Sequence, residues 1–144
     1  MTTINAFMSA HHKSCDEKFA EAEQAIADNH WDSGLKLWKA FADELLIHFS
    51  REEVVLFPDF EQATGMTAGP TQMMRLEHQQ MRALLNEIDK AAAARNKDLL
   101  LGLAETLMIT MQQHNMKEEQ MLYPMMDQSM TDIENLIEKV SQIE

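Results

Sequence analysis

The residues best equipped for chemistry in this 144-residue chain are histidines and glutamates that recur in two copies of one motif. His48-Phe-Ser-Arg-Glu52-Glu53-Val-Val-Leu56-Phe57-Pro58 matches His114-Asn-Met-Lys-Glu118-Glu119-Gln-Met-Leu122-Tyr123-Pro124, an offset of 66 residues from 48 to 114. The same offset carries His12 onto His78, Met8 onto Met74, Cys15 onto Met81 and Phe19 onto Leu85. A histidine and a glutamate four residues later lie about 40° apart around a helix and roughly one turn along it. Both can therefore reach one ion. Four imidazoles and two carboxylates inside an apolar bundle would be costly to desolvate unless a divalent or trivalent metal pair satisfied them. A single histidine on an apolar helix face is ordinarily a hydrogen-bonded core residue. Four at matching positions of a duplicated segment, two with glutamates at ligand spacing, point instead to metal binding. The candidate ligands are His12, His48, Glu52, His78, His114 and Glu118.

Helices must position these side chains. The four glycines and three prolines fall between long segments whose apolar residues recur at helical spacing. The pattern predicts a first helix over about residues 4–28, with Phe7, Met8, Cys15, Phe19, Ala22 and Ile26 on or near its buried face, then a turn at Asn29 and His30. A second helix begins at Asp32 or Ser33, either able to cap it, and carries Leu35, Trp38, Phe41, Leu45 and His48 in one stripe. Pro58 is expected to end it, because proline supplies no donor and crowds the preceding turn. Residues 59–69 then read as a connection with at most one helical turn. Pro70 suits the start of a third helix running to about residue 94. A fourth, over about residues 98–122, is expected to stop before Pro124. Thr131 to Glu134 reads as a capping box before a short amphipathic helix with Ile133, Leu136, Ile137 and Val140. Because the repeat makes helices one and two equivalent to three and four, the expected fold is all-α. It is an up-down-up-down four-helix bundle with an approximate internal twofold, over residues 1–126, followed by a C-terminal tail over 127–144.

Composition narrows the function classes. Hydrophobic residues make up 45% and charged residues 25% of the chain, the profile of one soluble globular domain. A net charge of −12 repels phosphate backbones, so no nucleic-acid partner is expected. No apolar run is long enough to span a membrane, and the first residues lack the pattern of a secretion signal. The expected compartment is the cytoplasm, and the single Cys15 is consistent with it. Cys15 and most of the 13 methionines fit as core packing, and His30 sits at a turn.

These motifs resemble the hemerythrin family of cation-binding domains, over about residues 7–124. The resemblance implies a cofactor of two iron ions (Fe2+/Fe3+) bridged by two carboxylates and an oxo or hydroxo oxygen, with zinc or manganese as possible substitutes. Carried over by position, His12 comes from helix one, His48 and Glu52 from helix two, His78 from helix three, and His114 with an acid from helix four. That acid is Glu118 by its match to Glu52, with Glu119 the alternative, since oxygen carriers use the fifth position after the histidine. His11 ranks behind His12, because its partner in the repeat is Glu77. The oxygen-carrying members have a second helix-three histidine where this chain has Met74, matched by Met8 before His12. Met8 and Met74 are therefore expected to line open positions. Residues 73–78 are similar to the iron–sulfur repair and nitric-oxide-responsive branch, although its additional helix-one histidine is missing. Glu53 is expected to be a surface acid or an acceptor that fixes a histidine tautomer. Phe57 and Tyr123 are expected to plug one end of the bundle, with Tyr123 able to donate a hydrogen bond or an electron towards the centre.

The resemblance implies a non-haem di-iron protein that binds or reacts with dioxygen, peroxide or nitric oxide, in oxygen or nitrosative stress or iron handling. Redox turnover suits open positions on both ions. A sensor or iron donor acting through a partner, and reversible oxygen storage, are the competing classes. The oligomeric state is expected to be monomer or homodimer.

Overall fold

In the computed structural model, which describes residues 2–144, the first helix is α1, Ile4–Ala27. Thr3 caps it, its hydroxyl accepting from the Ala6 amide at 3.0 Å. The Asp127 carboxylate accepts from the next two free donors, the Ile4 and Asn5 amides, at 2.7 and 3.1 Å. The far end of the chain thus anchors the start of α1. Asn29, with φ 62°, turns the chain into α2, Trp31–Ser50. Asp32 and Ser33 do not cap this helix, contrary to the sequence-based expectation: both lie inside its first turn, where the Asp32 charge meets the positive end of the helix dipole. The hairpin closes tightly at Gly34, where a Cβ would come within 2.6 Å of the Ile26 side chain.

Proline does not end the second helix. The chain passes from α2 through a π-helical turn, Arg51–Leu56, into α3, Phe57–Thr64. The Phe57 amide donates to the Glu52 carbonyl five residues back, so the turn is wider than an α turn. The ring of Pro58 is thereby freed from the carbonyl it would strike in a regular helix, and it falls in the first turn of α3, where a missing donor costs little. The expected connection after Pro58 is helical up to Thr64 and is closed by Gly65 at φ 75°.

The second half repeats this construction. Helix α4, Pro70–Ala93, turns at Arg95 (φ 49°) into α5, Lys97–Lys117, whose Asn96 cap accepts from the Leu99 amide at 3.2 Å. A second π turn, Glu118–Leu122, leads into α6, Tyr123–Ser129, past the expected stop at Pro124. The final helix, α7, Ile133–Ser141, starts after Asp132 in the left-handed region with no side-chain cap, so the capping box does not form.

Among the described residues there is no strand. Helix α1 packs on α2 and α5, and α4 packs on α5 and α2, which is the up-down-up-down bundle. Two apolar clusters fill it. One contains Cys15, Phe19, Phe41, Phe49, Met81 and Met111; the other contains Met8, Leu56, Phe57, Met74, Leu122 and Tyr123, with Leu136 and Val140 of α7 added. Along each long helix the candidate ligands fall between the two. They form a polar layer across the bundle. No helix among the described residues is long and apolar enough to cross a membrane.

Candidate metal centre

Each long helix sends a histidine into this layer, and the two π turns send in Glu52 and Glu118. His12, His48, Glu52, His78, His114 and Glu118 are all buried. The Nε2 atoms point at the carboxylates. His78 Nε2 lies 3.0 Å from Glu52 Oε1, and His12 and His114 Nε2 lie 3.1 and 3.2 Å from Glu118 Oε1. His48 Nε2 is farther, 3.7 Å from Glu52 and 3.9 Å from Glu118. Two groups of donor atoms result, each with its atoms within 4.8 Å of one another: Glu52, His78, His114 and Glu118, and His12, His48 and Glu118. The Tyr123 hydroxyl reaches between them, donating to Glu52 Oε2 at 2.7 Å or Glu118 Oε1 at 3.1 Å. It also lies 3.3 Å from both His12 and His48 Nε2.

The opposite ring nitrogens are held from outside. His12 Nδ1 faces Glu119 at 2.7 Å, and the equivalent His78 Nδ1 faces the equivalent Glu53 at 2.6 Å. Glu53 is itself gripped by Arg82 through two 2.9 Å bonds. His114 Nδ1 faces Glu77 at 2.8 Å, which also pairs with Lys117. The repeat breaks at the fourth histidine: His48 Nδ1 faces His11 Nδ1 at 2.9 Å, and His11 Nε2 faces Glu44 at 2.5 Å. The partners fix the protons there. Glu44 accepts and the Arg51 guanidinium, 3.2 Å from His11 Nδ1, can only donate. His11 is therefore a neutral ring with its hydrogen on Nε2, and His48 donates to it. Such outer acceptors orient a ligating imidazole and leave Nε2 free to bind.

The titration of the layer follows. Burial opposes charge on His114, but Glu118, Glu52 and Glu77 outweigh it and lift the pKa to about 9. Burial is likewise outweighed at His12 by Glu118 and at His78 by Glu52, and both are raised. At His48 burial wins, helped by the neighbouring His12 and His11, and the value drops to about 3. Burial and the facing Glu118 push Glu52 up, whereas His114 and His12 overcome burial to hold Glu118 well below the usual carboxylate range. Protons thus balance this layer where a cation would otherwise do so.

The donor set fits a metal. Glu52 Oε1, Glu118 Oε2, His78 Nε2 and His114 Nε2 are buried and find no aligned hydrogen-bond partner among the described residues. Buried polar atoms ordinarily are paired, and the four residues that carry these are the ones gathered in one donor group. The family model of the hemerythrin HHE cation binding domain matches residues 3–126.

The chain belongs to the hemerythrin HHE family. An uncharacterised hemerythrin-like protein of Schizosaccharomyces pombe is 26% identical over 137 residues, covering 94% of this chain and 65% of the relative. The chain thus spans less than two thirds of that protein's length. No solved structure matches it closely. As a hemerythrin-like domain with a buried His/Glu layer, the chain is a metal-binding helical bundle.

Within this hemerythrin-like bundle, Glu118 lies in the layer, whereas Glu119 lies outside it as the acceptor of His12. Glu53 plays the same part for His78. Met8 and Met74 are buried in the apolar cluster one turn beyond His12 and His78. Tyr123 shares that cluster, yet its hydroxyl enters the layer. His30 is exposed. Burial, with Glu44 nearby, pushes the Cys15 thiol up to about 12, which makes it a poor nucleophile. Sequence reasoning missed Glu77, Glu44 and the place of His11. Only the His11/Glu77 mismatch in the repeat hinted at them.

Proposed function

We propose that this chain is a non-haem di-iron protein that binds or reacts with a small ligand: dioxygen, peroxide or nitric oxide. The observation that carries this is the buried layer of four histidines and two glutamates in two adjoining groups, with Glu118 common to both. His78, His114 and Glu52 would hold one ion and His12 and His48 the other, with Glu118 serving both. A bound iron pair supplies open coordination positions and one-electron redox steps. The chain's own residues supply the rest. Outer acceptors fix the imidazoles, the apolar clusters on either side exclude water, and Tyr123 holds a proton at its hydroxyl, where burial and both carboxylates push its pKa well above the ordinary range. That proton is donated to Glu52 or Glu118, and a metal drawing on these carboxylates would free it to hydrogen-bond a small polar guest.

Anaerobic reconstitution with ferrous iron, followed by metal analysis, tests this. Two irons per chain are expected, with loss of iron in His48→Ala and His114→Ala. Exposure to dioxygen, hydrogen peroxide and nitric oxide should then change the absorption spectrum. A stable, reversible oxygenated spectrum indicates storage, turnover indicates redox enzymology, and binding without turnover indicates a sensor; inertness to all three overturns the small-ligand part of the proposal. Absence of iron uptake by the wild-type chain overturns the proposal.

A further inference from the structure

The repeat that builds the layer is broken in two places, and both breaks touch the His12/His48 group. The acids do not distinguish the two groups, since Glu52 and Glu118 lie 3.7 and 3.9 Å from His48 Nε2. Phe57, stacked on His78 with ring centroids 5.7 Å apart, is matched by Tyr123, stacked on His12 at the same 5.7 Å. Only the tyrosine carries a hydroxyl, and it stands 3.3 Å from both Nε2 atoms of the His12/His48 group. Behind the layer, His12, His78 and His114 face carboxylates, while His48 donates to the neutral ring of His11.

Each difference weakens the same position. A carboxylate acceptor draws the Nδ1 proton away from the ring and raises the electron density that Nε2 offers a metal; a neutral imidazole does so less. The Tyr123 hydroxyl occupies space between His12 and His48 that an incoming ion would have to share.

We infer that the two metal positions are unequal by construction: the His78/His114 position fills first and holds its ion tightly, and the His12/His48 position is a weaker, exchangeable one set by the His11–Glu44 pair and Tyr123. This rests on the two-metal proposal above. The molecule supplies its own control, because His11→Glu writes into the first half the residue that the second half has as Glu77. Arg51 stands at the repeat position of Lys117 and lies 3.2 Å from His11, so it can pair with the new carboxylate as Lys117 pairs with Glu77.

The test is an anaerobic titration of the full metal-free chain with ferrous iron, with free and bound iron measured at equilibrium against a competing chelator. The wild-type chain is expected to show two steps at least roughly tenfold apart, since outer acceptors typically change metal affinity about 10–100-fold. His11→Glu should tighten the weak step by about that factor and leave the tight step in place. Glu77→Gln should weaken the tight step. His48→Ala should abolish the weak step alone, and His114→Ala the tight one. Two indistinguishable steps in the wild-type chain, or loss of the tight step in His48→Ala, overturn the inference but leave the two-metal proposal standing. No uptake at all overturns both. Should His11→Glu fail to fold, Glu77→Gln decides, and an unmoved tight step in that variant overturns the inference.

Discussion

The Tyr123 hydroxyl and the two buried carboxylates depend on each other most where no cation is present. It donates to Glu52 at 2.7 Å or to Glu118 at 3.1 Å, in a layer where several polar atoms have no aligned partner. Phe57, at the matching place in the repeat, shows that the ring packs without a hydroxyl. Tyr123→Phe therefore changes hydrogen bonding and little else. Losing a buried bond to a charged acceptor costs about 1.5–3 kcal/mol, and that loss is expected in urea unfolding of the metal-free chain. With iron bound, the carboxylates have another partner, so the loss should shrink. Equal losses in both forms would mean that the carboxylates gain nothing from a metal. At this scale the sequence was informative about the inner layer and poor about its support. Four histidines and two glutamates stand at i, i+4 and repeat spacings, which one helix can express. The pairs that hold them, His114 with Glu77 and His48 with His11, join different helices. Their partners are 37 residues apart and no local period links them.

The π turns are the elements that most separate the structure from what the sequence suggested. Pro58 and Pro124 read as stops because an α-helix has no room for them. The chain widens one turn before each proline instead, and that is where Glu52 and Glu118 sit. His48 before the turn and Glu52 at its start face the layer; Val55 and Leu56 at its end, with Phe57 and Phe60 beyond it, face the apolar cluster. The turn keeps both faces inward. Val54 lies in it and is 66% exposed, so its side chain contributes little while its place in the chain matters. Val54→Ala should fall within about 0.5 kcal/mol of wild type, as exposed substitutions do. Deleting Val54 removes the extra residue and rotates one face by about 100° relative to the other, one residue's turn of an α-helix. The variant must then lose either its ligands or its apolar contacts. Urea unfolding and iron stoichiometry together check this, and a deletion variant with wild-type stability and two irons would show that the π turn positions nothing. The helical segments and the twofold repeat were legible in the apolar spacing. These turns were not, because the period that reveals a helix assumes a constant pitch.

For the whole molecule, the decisive fact is a polar layer lying between two apolar clusters and balanced either by protons or by metal. The sign of its pH dependence follows. The folded-state pKa of His114 is raised to about 9 against an ordinary 6.5. Its contribution to the stability of the metal-free chain is therefore full below pH 6.5 and is lost as pH rises through 9. His12 and His78 are shifted in the same direction. His48, lowered to about 3, contributes fully above pH 6.5 and so leaves this window unaffected. A metal held by the proposed ligands must displace the protons that His12, His78 and His114 hold, so its affinity should increase over the same range. An ion binding only the folded state stabilises it by about 2.7 kcal/mol at a hundredfold excess over Kd. The difference in unfolding free energy between iron-loaded and chelator-stripped protein should therefore widen between pH 6.5 and 9. The two changes are one linkage: the protons whose loss weakens the stripped form are those that the metal no longer has to displace. Anaerobic unfolding curves at fixed free iron, with and without chelator, measure that difference directly. A constant or narrowing gap would mean that protons and metal do not compete for this layer, and that its histidines are core residues satisfied by their glutamates alone.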